Sequence, residues 1–214
     1  MAAPTSIDVY WSFRSPYCYL PLDRLLALQS DTSADITIKH VWPGAMRRSG
    51  YFTHLHPNYT RYNRHDTERL AEYLDVAYAR PRPDPLIINT KTMEPAADQP
   101  HIGPLTRMGV LAAEAGMGLI FLNHVMRLIW NGRIDGWDQG QHLADAVTDA
   151  GFDFQELSLG QKAEAVRLDA VIAANAEDLI AAGHWGVPTA VYKGEPFFGQ
   201  DRLELLEWRI GKSR

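Results

Sequence analysis

The stretch that decides the fold is "WSFRSPYCYLPLDRLL", residues 11–26. The compact apolar run that leads into it, "SIDVYWSF" (6–13), predicts a β-strand. Ser15 followed by Pro16 is typical of the first residues of a helix, because serine caps the free backbone N–H groups and proline fits the first helical position. The chain therefore passes from a strand into a helix at Ser15.

The helix after Pro16 and a second strand complete the opening unit. Apolar residues of "PYCYLPLDRLLALQ" (16–29) recur at helical spacing, although Pro21 removes a hydrogen bond and is expected to kink the helix. The segment "DITIKHVW" (35–42) alternates apolar and polar residues as a half-buried strand does. These segments predict a βαβ unit.

The middle of the chain is predicted to be mainly helical and its end to be a hairpin followed by a helix. Residues 43–57 have loop character, and five segments have helical period: 59–80, 104–116, 119–132, 138–151 and 162–183. Only "LIIN" (86–89) resembles a strand there. "VPTAVYKG" and "EPFFG" (187–199) predict a β-hairpin, and "DRLELLEWRIG" (201–211) predicts the last helix.

This order of elements, βαβ, helices, ββα, is that of an α/β thioredoxin-like domain with a large helical insertion. The predicted domain is discontinuous, with residues 1–42 and 184–214 forming the thioredoxin-like part and 43–183 the insertion. The loop after the first strand and the turn before the third would meet at one end of the sheet. Ser15 and Pro188 would then face each other.

Composition limits the partners and the location of the protein. The chain has 214 residues, 46% of them hydrophobic, a formal net charge of -5 and one cysteine. Without a basic field or a Lys/Arg run, nucleic acid is not an expected partner. We find no secretory signal pattern and no apolar run of membrane-spanning length, so we expect a cytoplasmic protein without a membrane partner. His54, His56 and His65 lack a carboxylate or cysteine at a recognised spacing, so we predict no metal site.

Two motifs carry a resemblance to a known family: "SPYCYL" (15–20) and "GVPTAVYKGEPFFGQDRLELLEW" (186–208). With them, the chain resembles the 2-hydroxychromene-2-carboxylate isomerases and the kappa-class glutathione transferases, within the thioredoxin-like group that includes DsbA. The resemblance implies glutathione as the cofactor, a small-molecule substrate and a homodimer. It implies that Ser15 is catalytic, since it occupies the first position of the Cys-x-x-Cys pair of the redox members.

A serine at a helix start can donate a hydrogen bond to a bound thiolate, whereas its own hydroxyl cannot perform dithiol exchange. The alternative from the residues alone is that Ser15 only caps the helix. Cys18, at the second position of the pair, is expected to be a buried small hydrophobe, with a reactive thiol of lowered pKa as the alternative.

The C-terminal motif supplies the other predicted glutathione contacts. Pro188 is expected to follow a cis peptide bond, with the backbone of Val187 pairing with the extended tripeptide. Gln200 and Asp201 begin a helix, where N–H groups can hold the γ-glutamyl carboxylate and Asp201 the ammonium group. The alternatives are an ordinary turn proline and ordinary capping by Asp201.

The chain departs from the family pattern between the two motifs. If Tyr62 and Asp66 are aligned with the Tyr-x-x-x-Asp pattern of the relatives, the family lysine falls on Tyr59 and an asparagine of the kappa class falls on Tyr51. Arginine can replace a carboxylate-binding lysine, and the candidates are Arg47, Arg48, Arg61 and Arg64. We predict substrate contacts at Arg47, Tyr51, Tyr59 and Arg61.

The resemblance implies a glutathione-dependent isomerase of the 2-hydroxychromene-2-carboxylate type that acts on a small aromatic or conjugated organic acid. A kappa-like transferase would release the glutathione adduct instead. A noncatalytic thiol-binding or redox protein of the DsbA group, working through Cys18, is the remaining alternative.

Overall fold

The computed structural model describes residues 5–32 and 34–212, and in them four strands form one mixed sheet. The strands are β1 (Ser6–Trp11), β2 (Asp35–His40), β3 (Thr189–Tyr192) and β4 (Glu195–Phe198). They stand in the order β2-β1-β3-β4, with β1 parallel to β2 and antiparallel to β3. All four lie in the predicted thioredoxin-like segments, of which residues 1–4, 33 and 213–214 fall outside the described residues.

Helices connect and cover the sheet, most of them between β2 and β3. They are α1 (Pro16–Tyr19), α2 (Leu22–Thr32), α3 (Gly44–Arg47), α4 (Tyr59–Tyr73), α5 (Ile102–Glu114), α6 (Gly118–Trp130), α7 (His142–Asp149), α8 (Phe154–Ala163), α9 (Ala165–Ala181) and α10 (Leu203–Lys212). A 3-10 turn (Gln200–Arg202) leads into α10. This architecture confirms the predicted α/β thioredoxin-like fold class. The division into two domains stays a prediction.

Several predicted boundaries are wrong. Pro21 separates α1 from α2 rather than kinking a single helix, and α4 ends at Tyr73 instead of residue 80 because Asp75 adopts a left-handed backbone (φ 52). "LIIN" contributes only an isolated bridge, Ile88 to Pro95. Helix α8 was not among the predicted segments, although its N-cap Asp153 accepts a hydrogen bond from the Glu156 N–H and marks its start.

One face of the sheet forms the main core. Alternate residues of β1 and β2, Ile7, Val9, Ile36 and Ile38 among them, pack with residues of α2, α5, α6 and α10. The opposite face carries a smaller cluster of Tyr10, Val41 and Leu179, the last from α9. Across the described residues, no helix has both the length and the apolar character needed to cross a bilayer.

His40 ends β2 inside this core. Its ring is fully buried, stacks on Phe13 with ring centroids 5.2 Å apart, and has both nitrogens without a hydrogen-bond partner among the described residues. Gly109 on α5 makes room for the ring, since a Cβ there would come within 2.5 Å of His40 Nε2. Burial lowers the pKa of His40 to about 3, and the nearby Gly109 backbone offsets this only in part.

Candidate functional site

The start of α1 is held in place from both sides. Trp130 Nε1 on α6 donates to Phe13 O at 2.9 Å, and Ser15 N donates to Ser12 O at 3.1 Å. Ser15 is the N-cap of α1, with an extended backbone, and its Oγ accepts from Cys18 N at 3.3 Å. The serine therefore caps the helix, and because Oγ acts as an acceptor in this bond, its hydroxyl can still act as a hydrogen-bond donor.

Cys18 is fully buried, which confirms the prediction that it is a core residue. Burial raises the pKa of its thiol to about 12, although hydrogen bonds from the Ser12 backbone and the Ser15 side chain and the charge of Arg47 act in the opposite direction. The thiol thus stays protonated near neutral pH, and a protonated, buried thiol is a poor nucleophile.

The loop before β3 presents open backbone groups. The Val187–Pro188 peptide bond is cis, as predicted. Thr189 Oγ1 donates to Gly186 O at 2.7 Å, and Gly199 N donates to Pro188 O at 2.9 Å. These two hydrogen bonds hold the loop on either side of Val187. The N–H and C=O groups of Val187 have no hydrogen-bond partner in the part of the chain that the structure describes. An extended peptide could therefore pair with this residue as an added strand.

A cleft of about 380 Å³ adjoins this loop. It is lined by Tyr17, Tyr62, Asp66, Leu70, Val187, Pro188, Phe198, Gly199, Gln200 and Asp201. The structure thereby brings together all four predicted glutathione contacts, Val187, Pro188, Gln200 and Asp201. The volume is in the range of small-molecule sites.

The opposite wall of the cleft comes from α1 and α4. Tyr62, Asp66 and Leu70 are spaced four residues apart and so lie on one face of α4. Tyr17 donates to Asp66 Oδ2 at 2.7 Å, and Arg69 donates to Asp66 Oδ1 at 2.7 Å. Burial would raise the pKa of Asp66, but these hydrogen bonds outweigh it and the pKa is lowered.

These wall residues were not predicted as site residues. The four-residue spacing of Tyr62, Asp66 and Leu70 was the available signal for their shared face. Burial and the bond to Asp66 raise the pKa of Tyr17, so this phenol stays protonated and keeps donating to the carboxylate.

Gln200 and Asp201 lie where the last helix begins, in the turn that leads into α10. Gln200 is 7% exposed, and its Oε1 accepts from Arg24 Nη2. The Asp201 carboxylate is 58% exposed and pairs with Arg202 at 2.8 Å. Gly199 before them has φ 105, and a Cβ at that position would come within 2.5 Å of Asp201 Oδ1, so the turn requires glycine there.

A second group of predicted residues surrounds Arg47. Its Nε donates to Trp42 O at 2.8 Å and its Nη1 to Trp185 O at 3.0 Å, and it pairs with no carboxylate of the described residues. Burial lowers the pKa of Arg47, which nevertheless stays cationic. A partly buried cation whose partners are only carbonyl groups favours an anion beside it.

Tyr51 lies near this cation, and Tyr59 lies near Tyr51. Burial and the adjacent Tyr51 raise the pKa of Tyr59 to about 12. Tyr51 and Cys18 are both close enough to Arg47 for its charge to act on their ionised forms, which places Arg47 beside the start of α1.

The remaining predicted residues are not part of the cleft lining. Arg61 is exposed on α4 and has no ion pair among the described residues, and Arg48 and Arg64 are exposed as well. The cleft lining does not include Ser15, Arg47, Tyr51 or Tyr59. Their functional roles, and those of the cleft residues, stay predictions.

Comparison with known proteins agrees with this architecture. Residues 6–211 match the family model described as a DSBA-like thioredoxin domain. A solved 2-hydroxychromene-2-carboxylate isomerase is similar at a TM-score of 0.65 and 21% identity, over 97% of this chain and 95% of the other. A probable DsbA oxidoreductase from Streptomyces coelicolor has a TM-score of 0.64 at 16% identity, over 97% and 89%.

The cytosolic disulfide reductase DsbM from Pseudomonas aeruginosa, solved with GSH, has a TM-score of 0.57 at 19% identity, over 96% of this chain and 98% of the other. Among curated protein sequences, none matches significantly. At these identities the solved structures establish the fold that the chains share.

Proposed function

Because this chain belongs to the DsbA-like thioredoxin domain family, we propose that it is a glutathione-dependent isomerase of the 2-hydroxychromene-2-carboxylate type, acting on a small aromatic or conjugated organic acid. The observation that carries the proposal is which side chains occupy the start of α1. Ser15 stands there as the N-cap, while the one thiol of the chain, Cys18, is buried with a raised pKa. The nucleophilic sulfur must then come from a ligand.

The cleft fits a thiol tripeptide. The open N–H and C=O of Val187 suit the backbone of the cysteinyl residue, and the amide of Gln200 suits the γ-glutamyl carboxylate. Asp201 has an exposed carboxylate that suits the ammonium group. When bound, glutathione would supply the thiolate that adds to the substrate and leaves again at the end of the reaction.

The chain's own groups would hold and orient the reactants. Ser15 donates its hydroxyl hydrogen to the sulfur, and the positive end of α1 favours the thiolate form. Arg47, with no carboxylate partner among the described residues, holds the acid group of the substrate beside the start of α1. Tyr51 and Tyr59 would line that side of the site. The homodimer and the cytoplasmic location belong to the same proposal.

The direct test is turnover of 2-hydroxychromene-2-carboxylate with reduced glutathione, with free thiol measured at the end. We expect isomerisation that requires glutathione and returns all of it, because the thiolate leaves after the bond rotates or the ring opens. Stoichiometric loss of thiol would support the kappa-like transferase instead. Equal turnover without glutathione would contradict both.

The second test concerns the γ-glutamyl end of the site. Asp201→Asn is expected to weaken glutathione binding by about 1 to 3 kcal/mol in calorimetry, because a charge-assisted bond to the ammonium group is lost. Glu72→Gln is the matched control, since it removes an exposed carboxylate on α4 that does not line the cleft. Loss of folding in Asp201→Asn, rather than loss of binding, would assign Asp201 to capping.

A further inference from the structure

Arg24 contacts the cleft only through another residue. It lies on α2, does not line the cleft, and donates from Nη2 to the side-chain oxygen of Gln200, which does line it. Arg24 and Gln200 are 176 positions apart in the sequence. The guanidinium is partly buried, and its Nε is buried without a hydrogen-bond partner among the described residues.

The contact decides which way the Gln200 amide faces. A guanidinium can only donate hydrogen bonds, so the amide oxygen must face Arg24 and the amide nitrogen must face away. If the amide were flipped, its N–H groups would face the N–H groups of the Arg24 guanidinium, and neither side would have an acceptor. The Gln200 Nε2 has no partner in the described residues, although the residue is only 7% exposed. Gln200 can therefore offer its amide N–H groups to a ligand in the cleft.

Arg24 stays charged in its surroundings. Burial lowers the pKa of Arg24, whereas the nearby carboxylates of Glu204, Glu207 and Asp201 raise it. Its positive charge also polarises the Gln200 amide, which makes the amide N–H groups better donors. A polarised donor at the start of a helix suits a carboxylate.

We propose that Arg24 is a positioning residue that orients the Gln200 amide so that its N–H groups bind the γ-glutamyl carboxylate of the thiol cofactor. This inference rests on the proposed function and adds to it the residue that decides recognition of this end of the ligand. Arg24 itself touches no ligand.

The test compares two thiols on one variant. Arg24→Met keeps the length and the apolar stem of the side chain but removes its donors, so the Gln200 amide is free to rotate. We expect glutathione to bind about 10-fold more weakly to it, the effect of losing one hydrogen bond to a charged group. Cysteinylglycine, which lacks the γ-glutamyl group, is expected to bind equally to both proteins. Arg24→Lys, which keeps a charged donor, is expected to retain most of the affinity for glutathione.

A double-mutant cycle separates positioning from a general structural role. In a Gln200→Leu background, Arg24→Met is expected to cause no further loss of glutathione affinity, because Arg24 acts through Gln200. Equal loss for glutathione and cysteinylglycine, or a full additional loss in the Gln200→Leu background, would overturn the inference. So would unchanged glutathione binding by Arg24→Met, which leaves the proposed function intact. If the wild-type protein does not bind glutathione, the proposed function fails and this inference with it.

Discussion

Replacing Ser15 by alanine is expected to slow glutathione-dependent turnover by ~10- to 1,000-fold, the usual effect of removing one positioned donor to an anion. The pKa of the bound thiol should rise, because its thiolate loses the hydrogen bond from the serine hydroxyl. Binding of S-methylglutathione, which has no ionisable thiol, should be nearly unchanged. Turnover as a function of pH and calorimetry with the two ligands measure these effects.

Two further variants of the same turn serve as controls for Ser15. Cys18→Ala removes the only thiol of the chain and is expected to keep most of the turnover, because that thiol is buried and protonated. Ser15→Cys is expected to lose most of the turnover but to gain measurable disulfide exchange, since it forms a Cys-x-x-Cys pair with Cys18.

A serine that only caps α1 gives a different result. Ser15→Ala would then be less stable by about 1 kcal/mol, with its activity per folded molecule intact. That outcome would contradict the catalytic role. Loss of turnover in Cys18→Ala would instead support the redox alternative.

His40 is expected to make the fold sensitive to acid. Its pKa is about 3 in the folded protein and near the ordinary value of 6.5 in the unfolded chain, so the unfolded state binds the proton more tightly. The folded state therefore loses stability as the pH falls below 6.5, and the loss continues until the folded pKa is reached. At pH 5 this amounts to about 2 kcal/mol, and the figure holds for any folded pKa well below 5.

The effect is measured as a difference between proteins, because carboxylates also titrate at low pH. Urea unfolding at pH 7.5 and pH 5.0 should show that the wild type loses about 2 kcal/mol more than His40→Leu between the two values. His65→Gln is the matched control, since His65 is exposed on α4, and it should behave as the wild type does. The same pH dependence in the wild type and His40→Leu would show that His40 does not titrate on unfolding.

The sequence by itself determined the features that depend on neighbouring residues. Ser15 before Pro16 predicted a helix start because capping satisfies backbone groups within one turn, and "VPTAVYKG" and "EPFFG" (187–199) predicted the hairpin that β3 and β4 form. Pro21 was expected to disturb the first helix, but whether it bends or breaks the helix depends on what packs around it. The boundary of α4 was missed because a left-handed Asp75 has no strong sequence signal.

Only the tertiary structure decided which residues share the cleft. Tyr17 meets Asp66 across 49 positions and Arg24 meets Gln200 across 176, contacts that no periodicity or local spacing encodes. The same holds for Arg47, one of four arginines proposed from sequence as replacements for the family lysine. Its partial burial and its lack of a carboxylate partner among the described residues distinguish it from Arg61 on the surface of α4. Packing between distant segments decides how deeply a side chain is buried and which groups it contacts. Residue type alone could therefore name the candidate side chains but could not show which of them belong to the site.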